Sequence, residues 1–279
     1  MKRIMTIQDI SCVGRCSLTV ALPIISAAGV ECGVLPTAVL STHTAFDKFT
    51  FHDLTDEIEP ISKAYVDLGI GFDCIYTGYL GSFRQLALVE DFIREHKKEN
   101  TIVVIDPAMA DNGKLYHGFT PEFAKAMANL VGYADLVVPN LTEACFMLDI
   151  PYTEEYDEEY IKDVLVRLTK LGAKRSALTG ITFDNKTLGA YSYDSETGKF
   201  FYYANEYLPV RYHGTGDIFA SATVGALMRG QSVENALSVA VDYTYECIRL
   251  TMEDEDRRFY GVNFEEAIPY YLMRLNYRK

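Results

Sequence analysis

Apolar positions along the chain follow two alternating spacings. Lys2–Gln8 is a short apolar run with β-branched residues, which predicts a buried strand. Ser17–Ala28 carries its apolar residues at helical spacing and stops at Gly29, a helix with a glycine at its end. Glu31–Leu40 returns to strand character around Pro36. Strand, helix and strand in succession make a parallel βαβ unit. The alternation continues through strands at Asp73–Tyr79, Thr101–Asp106, Ala134–Pro139 and Arg175–Thr179. Between them the spacing predicts helices at Ser82–Lys98, Pro121–Val131, Leu141–Leu148 and Tyr156–Leu171. The rhythm then changes. Leu188–Tyr193 and Lys199–Ala204 are aromatic-rich and flank Asp194-Ser195-Glu196-Thr197-Gly198, a hairpin signal. Three helices follow, Asp217–Met228, Val233–Met252 and Phe264–Leu275. This order predicts an α/β fold: a three-layer α/β/α sandwich around a doubly wound, mostly parallel sheet with an antiparallel edge. No linker or repeat interrupts it, so residues 1–279 are expected to form a single domain.

Composition narrows the partners. The hydrophobic fraction of 49% is ample for a core, and no apolar run is long enough to span a membrane. Met1–Gln8 meets polar residues too soon for a signal peptide, so a cytoplasmic location is expected. The six cysteines are then expected to be reduced, and Cys12 and Cys16 lack a second Cys/His pair at zinc spacing. The formal net charge is −13 and no basic stripe exists, which argues against nucleic acid as a partner. An acidic chain that holds phosphates needs local devices: helix N-termini, a metal ion, or a few placed cations.

In a doubly wound sheet, ligands sit at the carboxyl ends of the strands. Polar groups gather there. Asp9 follows the first predicted strand, Ser41-Thr42-His43-Thr44 the second, and Thr77-Gly78-Tyr79-Leu80-Gly81-Ser82 the third. Asp106-Pro107-Ala108-Met109 follows the fourth, Asn140-Leu141-Thr142-Glu143 the fifth, and Thr179-Gly180 the sixth. The most informative stretch is Gly214-Thr215-Gly216-Asp217, a tight turn feeding a small, apolar helix. A helix N-terminus offers unpaired N–H donors and partial positive charge, and glycine lets a ligand approach the backbone. Asp217 beside such an anion site has the chemistry to take a proton from an attacking hydroxyl, which points to phosphoryl transfer. The plain alternative is that Asp217 or Thr215 caps the helix.

Other groups carry paired readings too. A carboxylate at Asp106, closing an Ile-Val-Val-Ile run, is costly to bury unless it is paired, capping or near a metal. Asn140 and Glu143 either form a capping box or hold hydrated Mg²⁺ and nucleotide phosphates. Arg15, Lys48, Lys114 and Arg211 are the nearby cations, and Arg211 is the best placed of them for a phosphate. His43 is either a substrate contact or structural. Asp9 is either a ligand to a substrate hydroxyl or ring nitrogen, or a turn residue.

Taken together and in chain order, Gly214–Asp217, Asp106–Met109 and Asn140–Glu143 resemble the ribokinase-like superfamily. Ser41–Thr44, Thr77–Ser82 and Pro139-Asn140 are similar to the pyridoxal kinases of vitamin B6 salvage, in register over about residues 3 to 250. The resemblance implies a kinase acting on the 5′-hydroxymethyl group of a B6 vitamer. It implies Asp217 as base and the amides of Gly214, Thr215 and Gly216 as anion hole. It implies Asp106, Asp111 and Glu143 around metal and phosphates, with Asp106 and Glu143 at the metal. Asn140, Thr142 and Thr179 would lie along the nucleotide, Asn205–Leu208 would cover the adenine, and Asp9, Thr44 and Tyr79 would face the pyridine ring. ATP and Mg²⁺ are the implied cofactors, a monovalent cation is an open addition, and a homodimer is the implied assembly.

Several departures fall on the substrate side. Pyridoxal kinases often carry serine where this chain has Asp9, and a Gly-x-x-Gly-Asn loop where it has Gly14-Arg15-Cys16-Ser17-Leu18. Ala45 stands where glutamine or glycine is usual. Hydroxymethylpyrimidine kinases share the fold, and cysteine usually follows their Gly-Thr-Gly; Asp217 favours the pyridoxal branch. A non-catalytic B6- or nucleotide-binding protein is expected to lose Asp217 or the glycine turn. A Rossmann dehydrogenase would need Gly-x-Gly-x-x-Gly where Asp9–Gly14 stands. A sugar kinase would carry a β lid before Ser41, for which there is no room.

Overall fold

A computed structural model describes residues 1–276; the last three residues of the expected 1–279 unit lie outside it. In chain order the elements are β1 (Arg3–Val13), α1 (Leu18–Ala27), β2 (Glu31–Thr42), β3 (Phe51–Asp53), α2 (Thr55–Asp67), β4 (Cys74–Thr77), α3 (Phe83–His96) and β5 (Ile102–Ile105). Then come β6 (Ala110–Asp111), β7 (Lys114–Leu115), α4 (Pro121–Val131), β8 (Leu136–Val137), α5 (Leu141–Leu148) and α6 (Glu158–Lys170). The chain ends with β9 (Arg175–Ile181), β10 (Thr187–Asp194), β11 (Lys199–Glu206), α7 (Thr215–Met228), α8 (Val233–Glu253) and α9 (Phe264–Arg274).

One nine-stranded sheet runs β11-β10-β9-β8-β5-β4-β1-β2-β3. The six strands from β9 to β2 pair in parallel. They are near-continuous apolar runs because helices cover both faces. One apolar cluster lies between the sheet and α2 to α6, with Ile7, Ile75, Val103 and Ile105 beside Phe92, Met127 and Val164. The other lies against α1 and α7 to α9, with Ile4, Tyr76 and Val104 beside Ile24, Ile218, Leu237 and Tyr271. This is the expected mostly parallel three-layer α/β arrangement. Every residue of α7 from Ile218 to Met228 is buried, so this helix has no solvent face to balance. No helix among the described residues is long and apolar enough to cross a membrane.

The β10–β11 hairpin forms the expected antiparallel edge. The opposite edge carries an antiparallel strand that the spacing does not predict, β3, paired to β2. α2 also lacks a prediction. It holds Pro60 and buries only Thr55, Ile58 and Ser62. β1 continues to Val13 instead of stopping at Gln8. Asp9 and Ser41-Thr42 therefore lie within strands, and the β1–β2 register shifts between Gln8 and Ile10. Two residues of β2, Thr37 and Ala38, stand opposite Asp9 there, so the extra residue of the bulge lies on β2.

Candidate active site

The carboxyl ends of β1, β2, β4, β5, β8 and β9 open onto one edge of the sheet, and the N-termini of α1, α5 and α7 meet them there. Gly214 is the N-cap of α7 at φ +80, a left-handed conformation that favours glycine. A Cβ at Gly214 would overlap the carbonyl oxygen of Arg15, so the turn lies directly against the loop after β1. No side chain caps this helix. Its first intrahelical bond runs from Ile218 N to Gly214 O at 3.0 Å, so the N–H groups of Thr215, Gly216 and Asp217 lack intrahelical partners.

Asp217 does not cap α7. Its Oδ2 accepts the Ser17 backbone N–H at 3.0 Å, from the loop after β1. Burial pushes its carboxyl up to about 6; the Ser17 bond opposes this and the charge of Asp9 adds to it. Asp9 is buried and raised by that burial, and its Oδ2 accepts the Ser11 hydroxyl at 3.0 Å. Tyr79 sits half-buried, with its ring 5.4 Å from Phe119, and Thr44 is exposed on the loop after β2.

Asp106 is buried, and no hydrogen bond reaches its carboxyl from the described residues. Burial raises its pKa well above the carboxylate range, and the neighbouring charges of Glu143 and Asp217 raise it further. Glu143 is buried as well. Its Oε2 accepts Asn140 N at 2.9 Å, and its Oε1 accepts Met109 N at 3.1 Å. Asn140 Oδ1 accepts Glu143 N at 2.9 Å, which completes the capping box. Burial still pushes Glu143 up to about 8, against those backbone bonds. Asn140 Nδ2 donates to Ala110 O at 2.8 Å, and Thr142 Oγ1 accepts Gly113 N at 3.0 Å. The α5 N-terminus thus grips the small β6–β7 hairpin that carries Asp111. Thr179 bridges to Asn140 across the sheet ends.

Three buried carboxylates, Asp106, Glu143 and Asp217, act electrostatically on one another or on Asp106 with no cation among them. The arrangement is costly as it stands and is relieved by a cation or by protonation. Asp106, with no donor, suits the first. No group of three or more acidic, His or Cys side chains among the described residues makes a complete metal cage. A hydrated Mg²⁺ that takes one or two carboxylates fits this donor set.

Two of the four candidate cations are engaged by side chains. Arg211 donates to Asn112 Oδ1, and Arg15 donates to Asn263 Oδ1. His43 is structural: its Nδ1 accepts Ala45 N at 3.1 Å and its Nε2 donates to Tyr260 O at 2.9 Å. At the end of β11, Asn205 Nδ2 donates to Asp242 on α8 at 2.9 Å; Leu208 lies two residues beyond this strand, half-buried. Sequence reasoning missed the Ser17 amide, because a backbone donor leaves no side-chain signal.

The chain is similar to known proteins over most of its length. The phosphomethylpyrimidine kinase family profile matches residues 25–259. The pyridoxine kinase of Bacillus subtilis is 29% identical over 201 residues, 70% of each chain. The pyridoxal kinase of Arabidopsis thaliana is 25% identical over 271 residues, 92% of this chain and 85% of its own. A Bacteroides thetaiotaomicron structure, assigned as a phosphomethylpyrimidine kinase and crystallised with pyridoxal, superposes with TM-score 0.92 at 38% identity, covering 97% of this chain and 95% of its own. The resemblance to pyridoxal kinases of the ribokinase-like superfamily is thereby borne out, and with it a phosphotransferase acting on a hydroxyl group. The chain belongs to the phosphomethylpyrimidine kinase family.

Proposed function

We propose that residues 1–279 act as one kinase unit that transfers the γ-phosphoryl group of ATP to the 5′-hydroxymethyl group of pyridoxal, pyridoxamine or pyridoxine. The observation that carries this reading is the uncapped N-terminus of α7 beside a carboxylate turned away from its own helix. The amides of Gly214, Thr215 and Gly216 receive the charge on the transferring group. Charge stabilisation of this kind is usually the largest contribution to such a reaction.

Asp217 takes the proton of the acceptor hydroxyl. Ser17 N–H holds Oδ2, and no donor among the described residues reaches Oδ1, which is the oxygen that receives the proton. A loose phosphoryl-transfer transition state asks little base strength, so a carboxylate raised only to about 6 is sufficient. Asp106 and Glu143 would hold Mg²⁺, with Asp111 on the adjoining hairpin toward the phosphates; the ion would neutralise charge on the phosphate oxygens. Asn140, Thr142 and Thr179 line the nucleotide path, and Asn205–Leu208 covers the base. Asp9, Thr44 and Tyr79 face the acceptor ring. Pyridoxal in the Bacteroides relative supports this acceptor class.

A second reading, a hydroxymethylpyrimidine kinase, draws support from the family description and from a Mycobacterium tuberculosis relative named for that reaction, 26% identical over 258 residues. An ADP-release assay with ATP and Mg²⁺, run on the three B6 vitamers and on hydroxymethylpyrimidine, separates the two. Turnover on the vitamers is expected. Turnover on the pyrimidine alone replaces the acceptor and keeps the chemistry, and ATP binding without turnover on any of them points to a binding protein.

A further inference from the structure

The loop after β1 has an unusual conformation. Arg15 and Ser17 both have positive φ, 52 and 51, although neither is glycine. Such residues persist only where their surroundings hold them. Asp217 holds Ser17, and what holds Arg15 comes from far along the chain, from the segment between α8 and α9 and the first turn of α9. Arg15 donates to Asn263 Oδ1, and its Nη2 lies 3.6 Å from Glu265. Asn263 is itself fixed: buried, with Nδ2 donating to Asp254 at 2.8 Å and its backbone N–H donating to Thr251 Oγ1 at 2.7 Å. A Cβ at Gly261 would come within 2.6 Å of Arg15 Cβ, so the two backbones are in close approach. The same segment grips the loop after β2, through Tyr260 O on His43 and through Phe259 and Tyr260 on Phe46, with ring centroids 5.0 and 5.3 Å apart. Arg15 is also the residue whose carbonyl abuts Gly214, two positions before the Ser17 amide that holds Asp217.

We propose that Arg15, locked by Asn263, is a positioning residue that sets the Ser17 amide on Asp217, so that the 254–265 segment is a working part of the acceptor site. The proposal rests on Asp217 as the base, but the lock can be read without turnover.

The test uses Arg15→Ala, Asn263→Ala, the double variant and Arg15→Lys in the full chain. Each single Ala variant is expected to lose about tenfold or more in kcat while the KM for ATP stays within about twofold, because small misplacements of a reacting group are costly. The double variant is expected to be no worse than the poorer single one, since both cut one contact. Arg15→Lys, which keeps a donor, is expected to recover part of the rate. Independently, hydrogen exchange in segment 13–18 is expected to be about tenfold faster in Arg15→Ala. Wild-type kcat in both Ala variants, or penalties that multiply in the double, would overturn the proposal. If an Ala variant fails to fold, Arg15→Met, which keeps the apolar stem and removes every donor, decides: unchanged exchange and unchanged kcat refute the lock. If the wild type turns over no acceptor, the functional reading falls, and unaltered exchange in Arg15→Ala is then what refutes the lock.

Discussion

Two helix N-termini meet at the same edge of the sheet and are finished in opposite ways. At α5, Asn140 and Glu143 satisfy each other's backbone donors, and Glu143 reaches back to the loop after β5 as well. At α7, a glycine stands at the cap, no side chain caps the first turn, and the helix's own first-turn carboxylate bonds a different loop. A closed N-terminus is scaffolding: its donors are spent on holding structure. An open one keeps partial positive charge and free N–H groups for a ligand. On the function proposed above, the difference separates the end that does chemistry from the end that positions it, although both carry an acid within the first turn.

The comparison can be broken most severely at Asp217. Asp217→Asn is expected to fold and to lose about 10³-fold in kcat, the range of a general base held in place. The wild type should also lose activity as pH falls through about 6, because the base must be ionised. Stability runs the other way. The folded pKa lies above the unfolded one, so the stabilising contribution is full below pH 4 and disappears as pH rises through 6. Asp217→Asn is therefore expected to exceed the wild type by about 3 kcal/mol at pH 8 in urea titrations, and to match it near pH 4. A variant that keeps its rate removes Asp217 from the mechanism.

A second break closes the open end. Gly214→Ala puts a Cβ into the Arg15 carbonyl and forces a left-handed alanine. We expect a loss of about 10²-fold in kcat, comparable to losing an anion-hole donor, and about 1–3 kcal/mol of stability. Steady-state rates and denaturant titration measure the two separately. If kcat holds while stability falls, the α7 turn is structural only.

The mildest change opens the closed end. Asn140→Ala removes a cap and should cost about 1 kcal/mol, a fall of about 2–4 °C in Tm. Its rate effect should be smaller than that of Gly214→Ala. A larger one would mean that the α5 end also meets the reacting group.

The sequence made the α7 turn and most strands legible because glycine spacing and apolar periodicity are local signals. α5 and its capping box were readable for the same reason. α2 was not: Pro60 reads as a breaker, and three buried positions give a weak stripe. β3, β6 and β7 hold two or three residues each, too few to show a period. Asp9 reads as a post-strand residue, and only the pairing of Ile10, Ser11 and Val13 with β2 shows that it lies within β1. The partner of Asp217 was beyond reach, being a backbone amide 200 positions away. Arg15 resembled a surface cation until Asn263, 248 positions on, was seen to hold it.

That last separation has a consequence for how the molecule is made. β1 lies inside the sheet, between β4 and β2, and its loop is completed by a segment that leaves the ribosome 248 positions later. Contacts so distant in sequence close slowly, because the loop entropy is lost before the contact forms. The Asn140–Glu143 capping box needs only residues close to it in sequence and can close early. The Arg15 loop reaches its final setting only once Gly261 and Asn263 have followed, so a nascent chain that stops short of them leaves the Ser17 amide beside Asp217 without its lock.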